Sequence, residues 1–366
     1  MLTKRAFPAG LLPLLAAIIV SGCAGAQPIR LPGSFHVADA DFDGTRLRIR
    51  LPNGRVARLD VDEYVSGSVP AEAALGGLDP ATARAVAEVQ AIVARTYAFA
   101  NRRRHAHEGF DLCATTHCQV FRPLSTWPAP IARLARDAAH ATRGMVITFA
   151  DRPINAVFHA DCGGHTSDAG SAWRGDSPPY LRGTPDTYCV KDGAAPWRAE
   201  VSISDLRRAL NRDDATNVGR RLEELEITEQ DAAGRAVHVT LHGARTLAVR
   251  GERLRSVVNA NLGPRTIKST RFTVLRDGRH VLFEGRGFGH GVGLCQTGAL
   301  ARARAGHSPR DIIAHYYAGT AVAAWHSLPR VSASALPART VLFTGSWTAS
   351  DYPRARGPHA PHWLQE

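Results

Sequence analysis

The chain has 366 residues, with 45 Lys and Arg against 33 Asp and Glu and a formal net charge of +12. That length is far above the size at which a core becomes hard to bury, and it allows one large domain or two small ones. A composition of 44% hydrophobic and 21% charged residues excludes a disordered or fibrous chain and leaves an ordinary globular protein.

Lys4 and Arg5 precede an apolar run, Leu11 to Val20, that is too short to cross a bilayer. The run ends in Val20-Ser21-Gly22-Cys23, which resembles a bacterial lipobox, where cleavage falls before the cysteine and the cysteine is acylated. Residues 1–22 are therefore expected to be a lipoprotein signal peptide, with Cys23 as the lipidation site. An ordinary cleavable signal with an accidental cysteine is the alternative. Ala24 after the cysteine points to the outer membrane, so the expected location is the cell envelope, lipid-anchored and facing the periplasm. Residues 23–44 read as a polar tether. A basic surface favours polyanions. An exported lipoprotein rarely meets nucleic acid, so no nucleic-acid partner is expected. Cell-wall glycan, with a lactyl carboxylate on every second sugar, is an anionic polymer in that compartment.

Residues 45–59 read as a hairpin around a type I′ turn at Asn53-Gly54. A short helix is predicted over 62–69, and a long one from the Asp79-Pro80 cap to about Arg104. Another helix is expected over 131–142, then paired strands at 145–149 and 154–159. Residues 204–211 read as helical, and 222–228, 236–241 and 245–249 as a small antiparallel group, followed by a helix from 251 to about 258. A hairpin at 272–284 turns at Asp277-Gly278. Ser308-Pro309 opens the last helix and Gly319 closes it. Residues 326–366 lose periodicity and read as an irregular C-terminal tail. The order is mixed, not alternating βα, so the fold class is α+β, with mixed helices and antiparallel sheet.

Three groups of residues can carry chemistry. His107, Cys113, His117 and Cys118 offer four ligands of the types zinc takes, and a closed set of four is structural. A Cys113–Cys118 disulfide is the competing reading in an oxidising compartment. Cys162 and Cys189 flank a Gly-, Ser- and Pro-rich loop and are natural disulfide partners once Cys23 is lipidated, a bond worth about 3–4 kcal/mol in the loop-entropy account. Cys295 is then left over, as a small buried hydrophobe or as the nucleophile of a Cys/His hydrolase with His290. The run Gly287-Phe288-Gly289-His290-Gly291-Val292-Gly293 brackets one imidazole with four glycines. It lacks the spacing and context of a dinucleotide fingerprint, and its plain reading is a tight strand-to-helix turn.

Three blocks, taken in order, resemble the SpoIID/LytB family. The first runs from Tyr64 through Val69-Pro70-Ala71-Glu72 into Glu88-Val89-Gln90 and Arg95-Thr96-Tyr97. The second is Cys113 to Phe121 with Phe158 to Thr166, and the third is the His290 run with Asp311 to Tyr317. The resemblance implies a peptidoglycan lytic transglycosylase over residues 45–325, with about 200–285 as a smaller inserted α/β subdomain. It implies Glu72 as the catalytic acid cleaving the MurNAc-GlcNAc β-1,4 bond of peptide-stripped glycan strands. It also implies a structural zinc on His107, Cys113, His117 and Cys118, with no organic cofactor. Gln90, Arg95, His159, His165 and His290 are expected along the substrate groove. The alternative is a non-catalytic glycan-binding module that enhances a separate murein amidase. The third block carries Cys295 where many family members have Ser, which argues against an essential nucleophile there.

Overall fold

The chain, a computed structural model describing residues 46–327 except 174, 193 and 194, opens with a hairpin. The signal peptide, the tether, Cys23 and most of the C-terminal tail lie outside the described residues. Strand β1 (Arg46–Arg50) pairs antiparallel with β2 (Val56–Asp60), and the ladder closes at Arg50 opposite Val56. The expected two-residue turn gives way to a longer loop in which the Gly54 N–H bonds the Leu51 carbonyl and Gly54, not Asn53, takes positive φ. Pro52 is the reason. It has no N–H for the last ladder pair, while its fixed φ suits the second position of a type I turn.

Helix α1 (Val61–Glu72) starts where the Asp60 carboxylate accepts from the Asp62 N–H, and it runs three residues further than predicted. Pro70 lies in the last turn, which the Ala73 N–H closes on the Val69 carbonyl. Helix α2 (Pro80–Ala100) begins at the expected Asp79 cap and ends before the three arginines. Nearly all of α2 after its first turn is buried, so it forms the centre of the first core. Strand β3 (Leu112–Cys113) adds to β1 in parallel, and α3 (Ala129–Ala141) packs on α1 and α2.

Where a longer 154–159 partner was expected, strand β4 (Met145–Phe149) meets only the short β5 (Arg152–Pro153) on that side. Residues Phe158–His159 form a separate strand, β6, whose partner lies far along the chain. Helices α4 (Ala169–Ala172) and α5 (Thr187–Asp192) follow.

A second cluster of buried residues runs from Trp197 to Phe283. It is built from β7 (Trp197–Ser202), α6 (Ile203–Leu210), β8 (Leu222–Gln230), β9 (Ala236–Gly243), β10 (Leu247–Arg250), α7 (Gly251–Leu262), β11 (Phe272–Asp277) and β12 (His280–Gly285). The antiparallel group β10-β9-β8 and the 272–284 hairpin form as predicted, but β7, which pairs with β12, was not anticipated. The chain then returns to the first core through β13 (Leu294–Cys295), α8 (Gln296–Arg304), α9 (Pro309–Tyr316) and β14 (Ala321–Ala324). Strand β13 lies parallel to β6, and β14 lies antiparallel to β4. The class is α+β, as the element order implied.

Candidate active site

Glu72 is the last residue of α1 and reaches a cavity of about 310 Å³ lined also by Gln90 of α2, Asp161, Phe288 and Gln296. Its carboxyl is pushed up to about 8 by desolvation, against one stabilising bond from the Val120 N–H to Oε1 at 2.6 Å. The negative end of the α1 dipole acts in the same direction. The group therefore stays protonated at neutral pH, as a proton donor must.

Two amides frame it. Gln296 Nε2 donates to the Glu72 carbonyl at 2.8 Å and lies 3.5 Å from Gln90 Oε1. Gln90 is buried, and its Nε2 has no partner among the described residues. Ala195, Trp197 of the second core, Arg265 and Lys268 line the same cavity. Trp197 is fixed by its indole N–H on the Gly287 carbonyl at 3.1 Å, and Arg265 lies over the Phe288 ring at 5.8 Å. Sequence reasoning missed Gln296, Trp197, Arg265 and Lys268. Gln296 lies within the glycine-run block and was open to inference. The two basic residues carry no local signal that separates them from the other cations of the chain.

Of the five residues expected along the groove, only Gln90 lines this cavity. Arg95 is 1% exposed and instead ties carbonyls of Ala139, Thr142 and Met145 to Asp62, whose Oδ1 lies 3.2 Å from Nη2. His290 donates from Nε2 to the Phe158 carbonyl at 2.9 Å and accepts the Val292 N–H on Nδ1 at 3.1 Å. Both of its nitrogens are committed to backbone, and burial, with Arg255 and Arg235, pushes it down to about 3. His159 is buried against it, with Nδ1 on the Val292 carbonyl and its ring held well below the usual value by burial. His165 bonds its neighbour's carbonyl, Thr166, through Nδ1 at 2.7 Å. The glycine run is thus a backbone knot that threads β13 beside β6. At Gly293, where φ is +71°, a Cβ would run into the Val157 carbonyl. Cys295 is fully buried and His290 has no nitrogen free to act as its base, so the Cys/His hydrolase reading fails.

The metal-ligand expectation needs one correction. His107 is exposed, and His105 takes its place beside Cys113, His117 and Cys118, with ligand atoms within 4.8 Å of one another. His105 Nε2 lies 3.2 Å from Cys118 Sγ, and His117 Nδ1 lies 3.5 Å from both sulphurs. Such spacings suit a tetrahedral ion. Glu108 holds His105 Nδ1 at 2.5 Å, which turns Nε2 inward, the usual outer-shell arrangement of a zinc histidine. Stacking of His105 on Phe110 keeps the ring there, a contact that linear spacing does not reveal. This donor set fits zinc. Its loop continues directly into Val120, whose N–H holds Glu72.

The expected Cys162–Cys189 disulfide is not formed, because both are free thiols and Cys295 shares their space. Cys189 Sγ donates to Asp161 Oδ1 at 3.4 Å, and Cys162 Sγ donates to Asp186 Oδ2 at 3.6 Å.

Comparison with known proteins finds similarity in both the first and the second half of the chain. Residues 53–149 match the family model described as Stage II sporulation protein, and residues 191–293 match one described as a domain of unknown function (DUF8618). The boundaries of the second match enclose the second core. The chain is 27% identical to stage II sporulation protein D of Bacillus amyloliquefaciens, over 74% of this chain and 76% of that protein. It is 28% identical to an uncharacterized protein of Brachyspira hyodysenteriae, over 72% of this chain and 67% of that one. It is 25% identical to the amidase enhancer of Bacillus subtilis, over 65% of this chain but 38% of that protein. The chain thus resembles the SpoIID/LytB family over most of its described length.

Proposed function

We propose that the protein is a peptidoglycan lytic transglycosylase with Glu72 as its general acid. The resemblance to stage II sporulation protein D and to an amidase enhancer supports a cell-wall role. The observation that carries the finer reading is a carboxyl desolvated to about 8 in a cavity also lined by two cations, Arg265 and Lys268.

The chemistry follows from that carboxyl. Protonated Glu72 gives its proton to the glycosidic oxygen as the C1–O bond breaks, and positive charge develops at the MurNAc anomeric carbon. The resulting carboxylate then accepts the proton of the sugar's own 6-hydroxyl as O6 bonds to C1. The proton count closes with one carboxyl and no water, and the product ends in 1,6-anhydroMurNAc. Gln296 holds the backbone of the acid in place, while the free Gln90 amide N–H donates to a sugar hydroxyl or acetyl oxygen. Arg265 and Lys268 face the lactyl carboxylate of a peptide-stripped strand. A cavity of about 310 Å³ is at the small end of ligand sites and holds a short stretch of glycan.

Zinc at His105, Cys113, His117 and Cys118 would be structural, since four protein ligands leave no open position. It would brace the loop that presents the Val120 N–H to Glu72. We place residues 200–285 as an inserted subdomain that supplies one cavity wall, and Cys23 as a lipid anchor holding the protein at the outer membrane, facing the periplasm. Purified protein with denuded murein and no partner tests the reading: 1,6-anhydro ends detected by mass spectrometry support it. Their absence, together with faster turnover of an added murein amidase, would favour the non-catalytic enhancer that one relative's name suggests.

A further inference from the structure

A second convergence of ligand-type side chains lies outside both the Glu72 cavity lining and the imidazole–thiol set. Cys162, Asp186, Cys189 and Cys295 each present one ligand atom, and these atoms all lie within 4.8 Å of one another. All four residues are at most 1% exposed. They come from the segment after β6, the start of α5 and the end of β13, so the fold and not local sequence assembles them.

Backbone N–H groups point at two of the three sulphurs, while the third, Cys189 Sγ, lies 3.4 Å from Asp161 Oδ1. The Gly164 N–H points at Cys162 Sγ (3.3 Å), and the N–H groups of Cys162 and Gly298 point at Cys295 Sγ (3.2 and 3.4 Å). Asp186 is oriented by the Tyr316 hydroxyl at 2.6 Å and the Cys189 N–H at 3.2 Å, with Arg302 3.4 Å away. Only glycine fits at 298, because a Cβ there would strike Asp186 and Tyr316. Arg302 balances the aspartate alone. Three sulphurs packed in a dry site need a further positive charge if they are to ionise. A disulfide uses two of the three sulphurs and accounts for neither the third nor the carboxylate.

We propose that Cys162, Asp186, Cys189 and Cys295 form a second metal centre that takes a thiophilic divalent cation, zinc by its ligand preferences. Four protein ligands close the site, so its role is structural, and with no ligand exposed the ion enters during folding. The centre would pin the start of α8, where Cys295 immediately precedes Gln296 and so fixes the amide that holds Glu72. The acid would then be braced from two sides, by one ion through Val120 and by the other through Gln296.

The test is metal stoichiometry on the full chain purified without chelator, combined with thiol mapping of the denatured protein without reductant. The expected result is two zinc equivalents per chain and free, alkylatable Cys162, Cys189 and Cys295. A His105→Ala/His117→Ala double variant should keep one equivalent. Replacing that ion with cobalt should give the near-ultraviolet thiolate charge-transfer band. Asp186→Asn or Cys295→Ala should bring two equivalents down to one. If these variants fail to fold, the wild-type stoichiometry still decides between two ions and one. A single zinc in the wild type, a metal-free double variant, or recovery of a Cys162–Cys189 disulfide peptide would each overturn the proposal.

Discussion

Replacing Glu72 with Gln should stabilise the protein while abolishing strand cleavage. The carboxyl lies at about 8 in the fold against a usual value of 4.5. A group raised on folding favours the native state only while protonated, so its contribution is lost as the pH climbs from the unfolded value to the folded one. Each unit corresponds to about 1.4 kcal/mol. At pH 7, about two and a half pH units above the usual value, ionisation holds the wild type back by roughly 3 kcal/mol, rising to about 5 above pH 8 and falling below about 1 near pH 5. Gln keeps an oxygen for the Val120 N–H, which bonds Oε1, and carries no charge. The variant's urea midpoint should match the wild type near pH 5 and exceed it increasingly towards pH 8.5. In parallel, wild-type release of 1,6-anhydro ends should fall above about pH 8, as the acid form is lost, and the variant should release none. A stability gap that does not change with pH would mean the carboxyl is not desolvated, and the acid role would fall with it.

The corrected zinc ligand gives a paired test. His105→Ala should lose the first zinc equivalent and lower the thermal midpoint, whereas His107→Ala, at an exposed position, should change neither metal content nor melting. The reverse result would restore His107 as the ligand. Charge reversal at Arg265 and Lys268 together should raise KM for denuded glycan about tenfold and flatten its salt dependence, with kcat little changed, because both cations line the cavity that holds the acid and neither contacts it. Steady-state kinetics across a salt series checks this, and an effect confined to kcat would contradict it. Arg95→Leu should cost about 3–5 kcal/mol in chemical denaturation, since it strands the carbonyls of Ala139 and Thr142 and removes a buried partner of Asp62. A loss of activity with unchanged stability would instead return Arg95 to the substrate groove.

Local chemistry was legible at most caps and turns, the Asn53-Gly54 turn beside Pro52 being an exception. Asp79-Pro80 and Ser308-Pro309 start helices as their caps require, and Asp277-Gly278 turns a hairpin. Each depends on neighbours within four residues, and such information survives in a linear string. The residue blocks also brought Glu72 and Gln90 forward together, and they do line one cavity. The failures share a cause. His107 and His105 are both near the right spacing, and only packing on Phe110 and the Glu108 contact select one of them. Arg95 and His290 carry the polar chemistry of ligand-binding residues, yet each spends its donors on backbone carbonyls brought in from distant segments. Cys162 and Cys189 looked like a pair until β13 delivered Cys295 beside them.

Taken alone, the string of residues determined the longer helices, the hairpin at 272–284 and the β8–β10 group, the α+β class, and the acidic side chain at the end of α1, because caps, periodicity and motif order act over short range. What surrounds that acid was decided only in three dimensions. The desolvation that raises its proton affinity, the cations that share its cavity and the glutamine that holds its backbone all arise where segments up to about two hundred residues apart pack together. Burial and charge depend on those neighbours and on nothing the local sequence encodes.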